Sequence, residues 1–193
     1  WDITESEKQL RKDLSLSKNA LFNISQRKSI VHRKGYLAIR QILKNLNIDS
    51  KLHHYDQNGA PYLTDGRYIS ISHTKDKAAV VIALKPVGID LEYYQNKIKK
   101  VAPRFIHQNE IYDPKKLNDI KYLTQIWTAK EALYKIFRKK GIHFKSQLQI
   151  DKFDSMRSND GLGTIFYDGK TYKYFLHFRY FSNFCLTLAT TKN

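Results

Sequence analysis

The sequence predicts an α+β protein made of two similar halves in one chain, each opening on helix and closing on strands. Three observations predict it. Apolar residues recur at helical spacing over 29–46 and again over about 118–140. Alternating or short apolar runs follow each helix, over 68–84 and over 147–190. Pro86 punctuates the chain between the two sets. Helix then strands, seen twice, places the boundary at 86, giving halves 1–86 and 87–193.

The elements follow in order. Residues 3–16 read as a helix, with Thr4 and Glu7 at the spacing of a capping box. The segment 17–28 has no decisive pattern. In 29–46, Ile30, Leu37, Ile39, Ile42, Leu43 and Leu46 make one apolar face, and Arg33, Lys34, Arg40 and Lys44 a basic one. Asn58-Gly59 marks a turn. Residues 68–72 and 78–84 predict a hairpin with His73 at the turn end of its first strand. Residues 87–92 predict a strand, 103–112 a helix ended by Asp113-Pro114, and 118–140 the main helix of the second half. Asn118 or Asp119 would cap that helix, and Gly141 would end it. Strands are expected at about 147–153, 163–167, 172–179 and 183–190, with Asp168-Gly169 as a hairpin turn.

Composition narrows the function classes. No apolar run approaches a membrane span. Thirteen Tyr and ten Phe in 193 residues supply a core, which excludes a disordered tail. Cys185 is the single cysteine, so no intrachain disulfide forms, no zinc cluster is spaced, and the chain fits a reducing, cytoplasmic compartment. The chain begins at Trp1 rather than Met and reads as trimmed or processed, which leaves a preceding targeting segment open. Thirty-four Lys and Arg against 18 Asp and Glu leave a formal charge of +16, a field that attracts polyanions. Nucleic acid, an anionic membrane, or an acidic protein with an anionic coenzyme all satisfy it. No zinc finger, basic heptad or RNA-binding aromatic motif supports the first.

Two segments carry chemistry. In Val87-Gly88-Ile89-Asp90-Leu91-Glu92 a strand period of two puts Gly88, Asp90 and Glu92 on one face. In Trp127-Thr128-Ala129-Lys130-Glu131-Ala132-Leu133-Tyr134-Lys135 a helix puts Trp127, Glu131 and Lys135 on one face. Three carboxylates suit Mg²⁺, which keeps positions open for water and phosphate. A lysine one turn away can bind the same phosphate as a point charge. Taken singly, each has an ordinary reading: Glu131 with Lys135 as a surface pair four apart, and Asp90 with Glu92 as the polar side of an edge strand.

In combination the segments resemble the signature of the 4′-phosphopantetheinyl transferase superfamily, V-G-[IV]-D-[IV]-E followed by W-[ST]-x-K-E-[AS]-x-x-K. Tyr68-Ile69-Ser70-Ile71-Ser72-His73-Thr74 is similar to the family's F-N-I-S-H-S. Asn58-Gly59-Ala60-Pro61-Tyr62-Leu63 is similar to its G-K-P-Y-L. The resemblance covers about 27–150, and the length is that of the single-chain, surfactin-synthetase-activating (Sfp-like) type. It implies a pseudo-twofold fold with the active site in the cleft between halves, and a monomer. It also implies Mg²⁺-dependent transfer of the 4′-phosphopantetheine arm of coenzyme A to a serine of an acidic apo carrier protein, with adenosine 3′,5′-bisphosphate leaving. Mn²⁺ would serve the same ligands. The N-terminal half would contact the coenzyme's phosphates and the C-terminal half would hold the metal.

By motif position the resemblance assigns Asp90, Glu92 and Glu131 to the metal. Glu131 is also the candidate base, directly or through a metal-bound water. Lys135 would bind the pyrophosphate and offset charge on the leaving group. His73 would donate to a phosphate with Ser72 beside it, and Arg33 matches a position that contacts the coenzyme's 3′-phosphate, with Lys28 a further candidate. Trp127 is expected to pack in the core without chemistry. Ala60 departs from the family, which often has a basic residue there, and Lys75 is the candidate substitute. Two rivals remain: a non-catalytic basic nucleic-acid-binding module, and a superfamily member that binds coenzyme A without transferring it.

Overall fold

The computed structural model describes residues 1–153 and 158–192. The chain divides into two compact units, Trp1–Leu84 and Lys85–Asn193.

The first unit begins with three helices, α1 (Glu7–Arg11), α2 (Lys18–Ser25) and α3 (Ile30–Asn45). The capping box on α1 is Ser6 with Gln9, not Thr4 with Glu7: Ser6 Oγ accepts from Gln9 N, and Gln9 Oε1 accepts from Ser6 N at 2.8 Å. Glu7 is diverted because its carboxylate holds Arg11 and Arg33. The patternless 17–28 segment is largely α2, capped by Ser17. Two antiparallel pairs follow, β1 (His53–Tyr55) with β2 (Pro61–Leu63), and β3 (Tyr68–His73) with β4 (Ala78–Ala83). Leu10, Ile24, Leu37, Ile39, Leu43 and Ile69 form the core beneath them. Of the apolar stripe expected on this helix, Leu37, Ile39 and Leu43 are buried and Ile42 half-buried, while Ile30 and Leu46 at its two ends are exposed.

The second unit is one antiparallel sheet with helices packed on it. Its strands are β5 (Val87–Tyr93), β6 (Leu148–Ile150), β7 (Asp160–Tyr167), β8 (Lys170–Tyr180) and β9 (Phe184–Thr191), in the order β5-β9-β8-β7-β6. The turn Asp168-Gly169 has positive φ at both residues, 51° and 68°, as a two-residue hairpin needs. Between β5 and β6 lie α4 (Lys97–Val101), α5 (Ile120–Phe137) and α6 (Phe144–Gln147). The helix expected at 103–112 is instead two short 3₁₀ turns, Ala102–Arg104 and Gln108–Glu110. His107 restarts the chain there as a cap, its ring accepting from Asn109 N while Glu110 accepts from His107 N. Asp119, one of the two expected caps, accepts from Tyr122 N at 3.1 Å and starts α5; Arg138 ends it in the left-handed conformation, φ 56°. Among the described residues no helix is long and apolar enough to cross a membrane.

Gly88 decides how closely α5 approaches the sheet. A Cβ at this position would lie 2.1 Å from the Ala132 carbonyl oxygen and 2.8 Å from Ile136 N. Both are helix backbone, which cannot swing aside. Gly88→Ala is therefore expected to destabilise the protein by about 1–3 kcal/mol or more, because α5 must lift off β5. A urea midpoint equal to wild type would refute the close contact.

Candidate active site

The even-numbered residues of β5 face α5, and the two elements run in opposite directions. Gly88 meets Ala132 and Ile136, Asp90 meets Lys135, and Glu92 meets Trp127. The match is metrical. Two strand residues advance about 6.7 Å and four helix residues about 6 Å, so each step along the polar face of β5 finds the next turn of α5. This register gathers the carboxylates of two separate motifs in one place.

Asp90 is buried, 5 % exposed. Its Oδ1 accepts from Lys135 Nζ at 2.6 Å, and the same Nζ donates to the Ile89 carbonyl at 3.0 Å. Lys135 thus neutralises Asp90 in this structure. Glu92 accepts from the Trp127 side chain. Burial, and then the charge of Asp90, pushes the Glu92 carboxyl up. Glu131 is pushed up to about 7, first by burial and then by Asp90, with Lys135 opposing and Glu92 adding. Three acids thus share one electrostatic environment with one close lysine.

The donor chemistry fits a hard divalent cation. Asp90, Glu92 and Glu131 offer only carboxylate oxygen, and their mutual repulsion is the signature of a site short of positive charge. Among the described residues no three acid, imidazole or thiol groups are already drawn together into a metal cage. The carboxylates share a field without being closed around a point.

Sequence reasoning missed part of the support. Trp127, expected only to pack, packs against Phe105 and Phe144 at 5.0 and 5.5 Å and also hydrogen-bonds Glu92. Thr128 joins α5 to β9, its Oγ1 lying 2.9 Å from Thr187 Oγ1. Lys130, next to Glu131, is fully buried and meets Glu110 Oε2 at 2.9 Å, and it also donates to the carbonyls of Phe105 and Phe144. Glu110 accepts in addition from the backbone of His107 and Ile150. One signal was available: Lys130 stands on the apolar stripe, four residues from Ile126 and three from Leu133.

The remaining candidates lie in the first unit. His73 is the last residue of β3 and packs over Gly35 of α3, where an added Cβ would sit 2.8 Å from its Nδ1. Ser72 beside it is buried. Lys28 and Lys75 are exposed. Arg33 is engaged: Nε meets Glu7 Oε2 at 2.8 Å, and Nη1 donates to the carbonyls of Arg27 and Lys28. Arg33, followed by Arg11, holds the Glu7 carboxyl below its usual range. Ala60 closes a turn in which Asp56 Oδ1 accepts from the backbone of Asn58 and Ala60.

The model of the 4′-phosphopantetheinyl transferase superfamily matches residues 86–189, which include β5 to β8, α5 and most of β9. The chain belongs to this superfamily. It is 29 % identical over 111 residues to the 4′-phosphopantetheinyl transferase gsp of Aneurinibacillus migulanus, covering 54 % of this chain and 47 % of that protein. The chain thus spans about half the length of that curated relative. The superfamily match contains every acid of the candidate site.

Proposed function

We propose that this chain transfers the 4′-phosphopantetheine group of coenzyme A to a serine of an acidic apo carrier protein, with Mg²⁺ at Asp90, Glu92 and Glu131. The observation that carries the reading is the register of β5 on α5, which puts three carboxylates in one field inside the superfamily match. A bound Mg²⁺ would supply Lewis-acid stabilisation of the pyrophosphate. The protein's own groups do the rest. Glu131 would take the serine proton. Lys135 would offset negative charge at the pyrophosphate. Trp127 holds Glu92 in place. In the first unit His73 and Ser72 contact coenzyme phosphate, with Lys28, Lys75 and Arg33 as further cationic contacts. The +16 charge suits both an anionic coenzyme and an acidic carrier. The single buried cysteine supports a cytoplasmic site of action.

The test is direct. The chain is incubated with an apo carrier protein, coenzyme A and Mg²⁺, and the carrier is weighed by mass spectrometry. A gain of one phosphopantetheine, abolished by EDTA, is the expected result. Coenzyme binding without any gain across acyl, polyketide and peptidyl carriers would replace this reading with that of a non-transferring binder.

Arg33→Ala makes a narrower point. A phosphate contact predicts a greater loss of affinity for coenzyme A than for its 3′-dephospho form. Equal loss for both, together with a lower melting temperature, would confine Arg33 to its bond with Glu7.

A further inference from the structure

The carboxylate site carries a cation of its own. Lys135 reaches from α5 to β5, where its Nζ donates to Asp90 Oδ1 at 2.6 Å and to the Ile89 carbonyl oxygen at 3.0 Å. One acceptor is a buried carboxylate and the other is strand backbone, so the position of the ammonium is fixed by two groups that cannot drift. A carboxylate oxygen and a carbonyl oxygen are also what a hard divalent cation takes. Lys135 thus holds its place through the kind of ligand that the proposed metal would use.

The surrounding charge keeps it there. Burial first, and then Asp90, pushes Glu92 and Glu131 up, and Lys135 works against the rise at both. Lys97, at the start of α4, adds to the relief at Glu92. With no metal bound, an ammonium in contact with Asp90 is the natural answer to three crowded acids.

The same ammonium obstructs a metal. Whether a divalent cation enters at Oδ1 or at Oδ2 of Asp90, the charged Nζ stands beside that carboxylate and repels it. The lysine has a way out. Its side chain is 25 % exposed against 7 % for that of Asp90, and its four-carbon stem is flexible.

We propose that Lys135 is an internal counter-cation that competes with the divalent metal for Asp90, so that metal uptake and release of the ammonium are one exchange. The inference rests on the transferase reading for the metal ligands alone; the exchange needs neither coenzyme nor carrier. It gives the site two states. In the metal-free state the ammonium is engaged by Asp90. In the metal-loaded state its donors are free for an anion. Metal and anion are then coupled through one side chain, and the coupling is reciprocal.

The experiment titrates Mg²⁺, and in parallel Mn²⁺, into the whole chain without coenzyme, at pH 8 and constant ionic strength, and reads affinity by calorimetry. Lys135→Met keeps the length of the side chain and removes its charge. It should bind either metal about tenfold more tightly than wild type, the relief of one close like charge. Lys135→Arg keeps the charge and should stay near wild type. A lysine that only supports the fold predicts the opposite sign, weaker binding in the Met variant. Acetylation reads the release directly and uses wild type alone, so it decides the question even where a variant folds poorly. Wild type is treated with limiting acetic anhydride, with and without saturating Mg²⁺, and its peptides are weighed. Lys135 should be labelled several-fold faster with metal, while the exposed Lys28 and Lys75 are labelled at unchanged rates. Equal or weaker metal affinity in the Met variant, or labelling of Lys135 unmoved by metal, overturns the exchange and leaves the metal ligands standing. No metal uptake by wild type or either variant overturns the exchange and the metal assignment together.

Discussion

Replacing Glu131 with Gln should lower phosphopantetheine transfer by about 10²–10⁴-fold, the usual contribution of a positioned general base. Loss of a metal oxygen would deepen the effect. The fold should survive, since Glu131 sits on the partly exposed face of α5 and Gln has the same shape. Stability supplies a second readout with a definite sign. The Glu131 carboxyl is raised from 4.5 to about 7, so the folded state holds its proton more tightly than the unfolded one. Without metal, wild type therefore loses stability relative to the Gln variant as pH rises from about 4.5 through 7, and the difference levels off above that. Melting temperatures at pH 5 and pH 8 check it: the variant should gain on wild type only at the higher pH. Adding Mg²⁺ at pH 8 should stabilise wild type more than the variant. Wild-type transfer rates in the Gln variant would remove Glu131 from the chemistry.

Lys130→Met should be the most destabilising single change in the second unit. Lys130 and Glu110 are 0 % and 1 % exposed at their side chains and lie 2.9 Å apart. Desolvation lowers the lysine and raises the acid, and their mutual attraction opposes both shifts. Removing one partner strands the other charge in the core at a cost of about 3–5 kcal/mol. The effect should spread further than a cavity would. Lys130 also holds the carbonyls of Phe105 and Phe144, and Glu110 holds the backbone of His107 and Ile150, so one bond ties α5 to the 3₁₀ segment and to β6. The double variant Lys130→Met with Glu110→Gln restores neutrality and keeps an acceptor for one of the two backbone donors, and it should recover part of the loss. Urea unfolding measures all three; a single-variant loss below about 1 kcal/mol would show the pair to be dispensable.

The sequence alone determined the fold class, the hairpin of β3 and β4, and the register of the polar face of β5. These follow from local periodicities of two and 3.6 and from turn and cap residues, none of which needs a distant partner. It also supplied the candidate acids, because the two motif spacings lie within single elements. Only the tertiary structure decided what those elements meet. Gly88 reads as a close approach in sequence, but that the approaching group is the backbone of α5 depends on a contact more than forty residues away. Arg33 looks like an available cation until Glu7 is found to hold it. Lys130 stands on the apolar stripe of α5, but that Glu110 meets it there shows only in the fold. The 103–112 segment has helical composition, yet the backbone bends so that Glu110 can reach Lys130. The last three of these outcomes are set by which charge finds which partner across the fold, and long-range pairing of charges leaves no period in the chain.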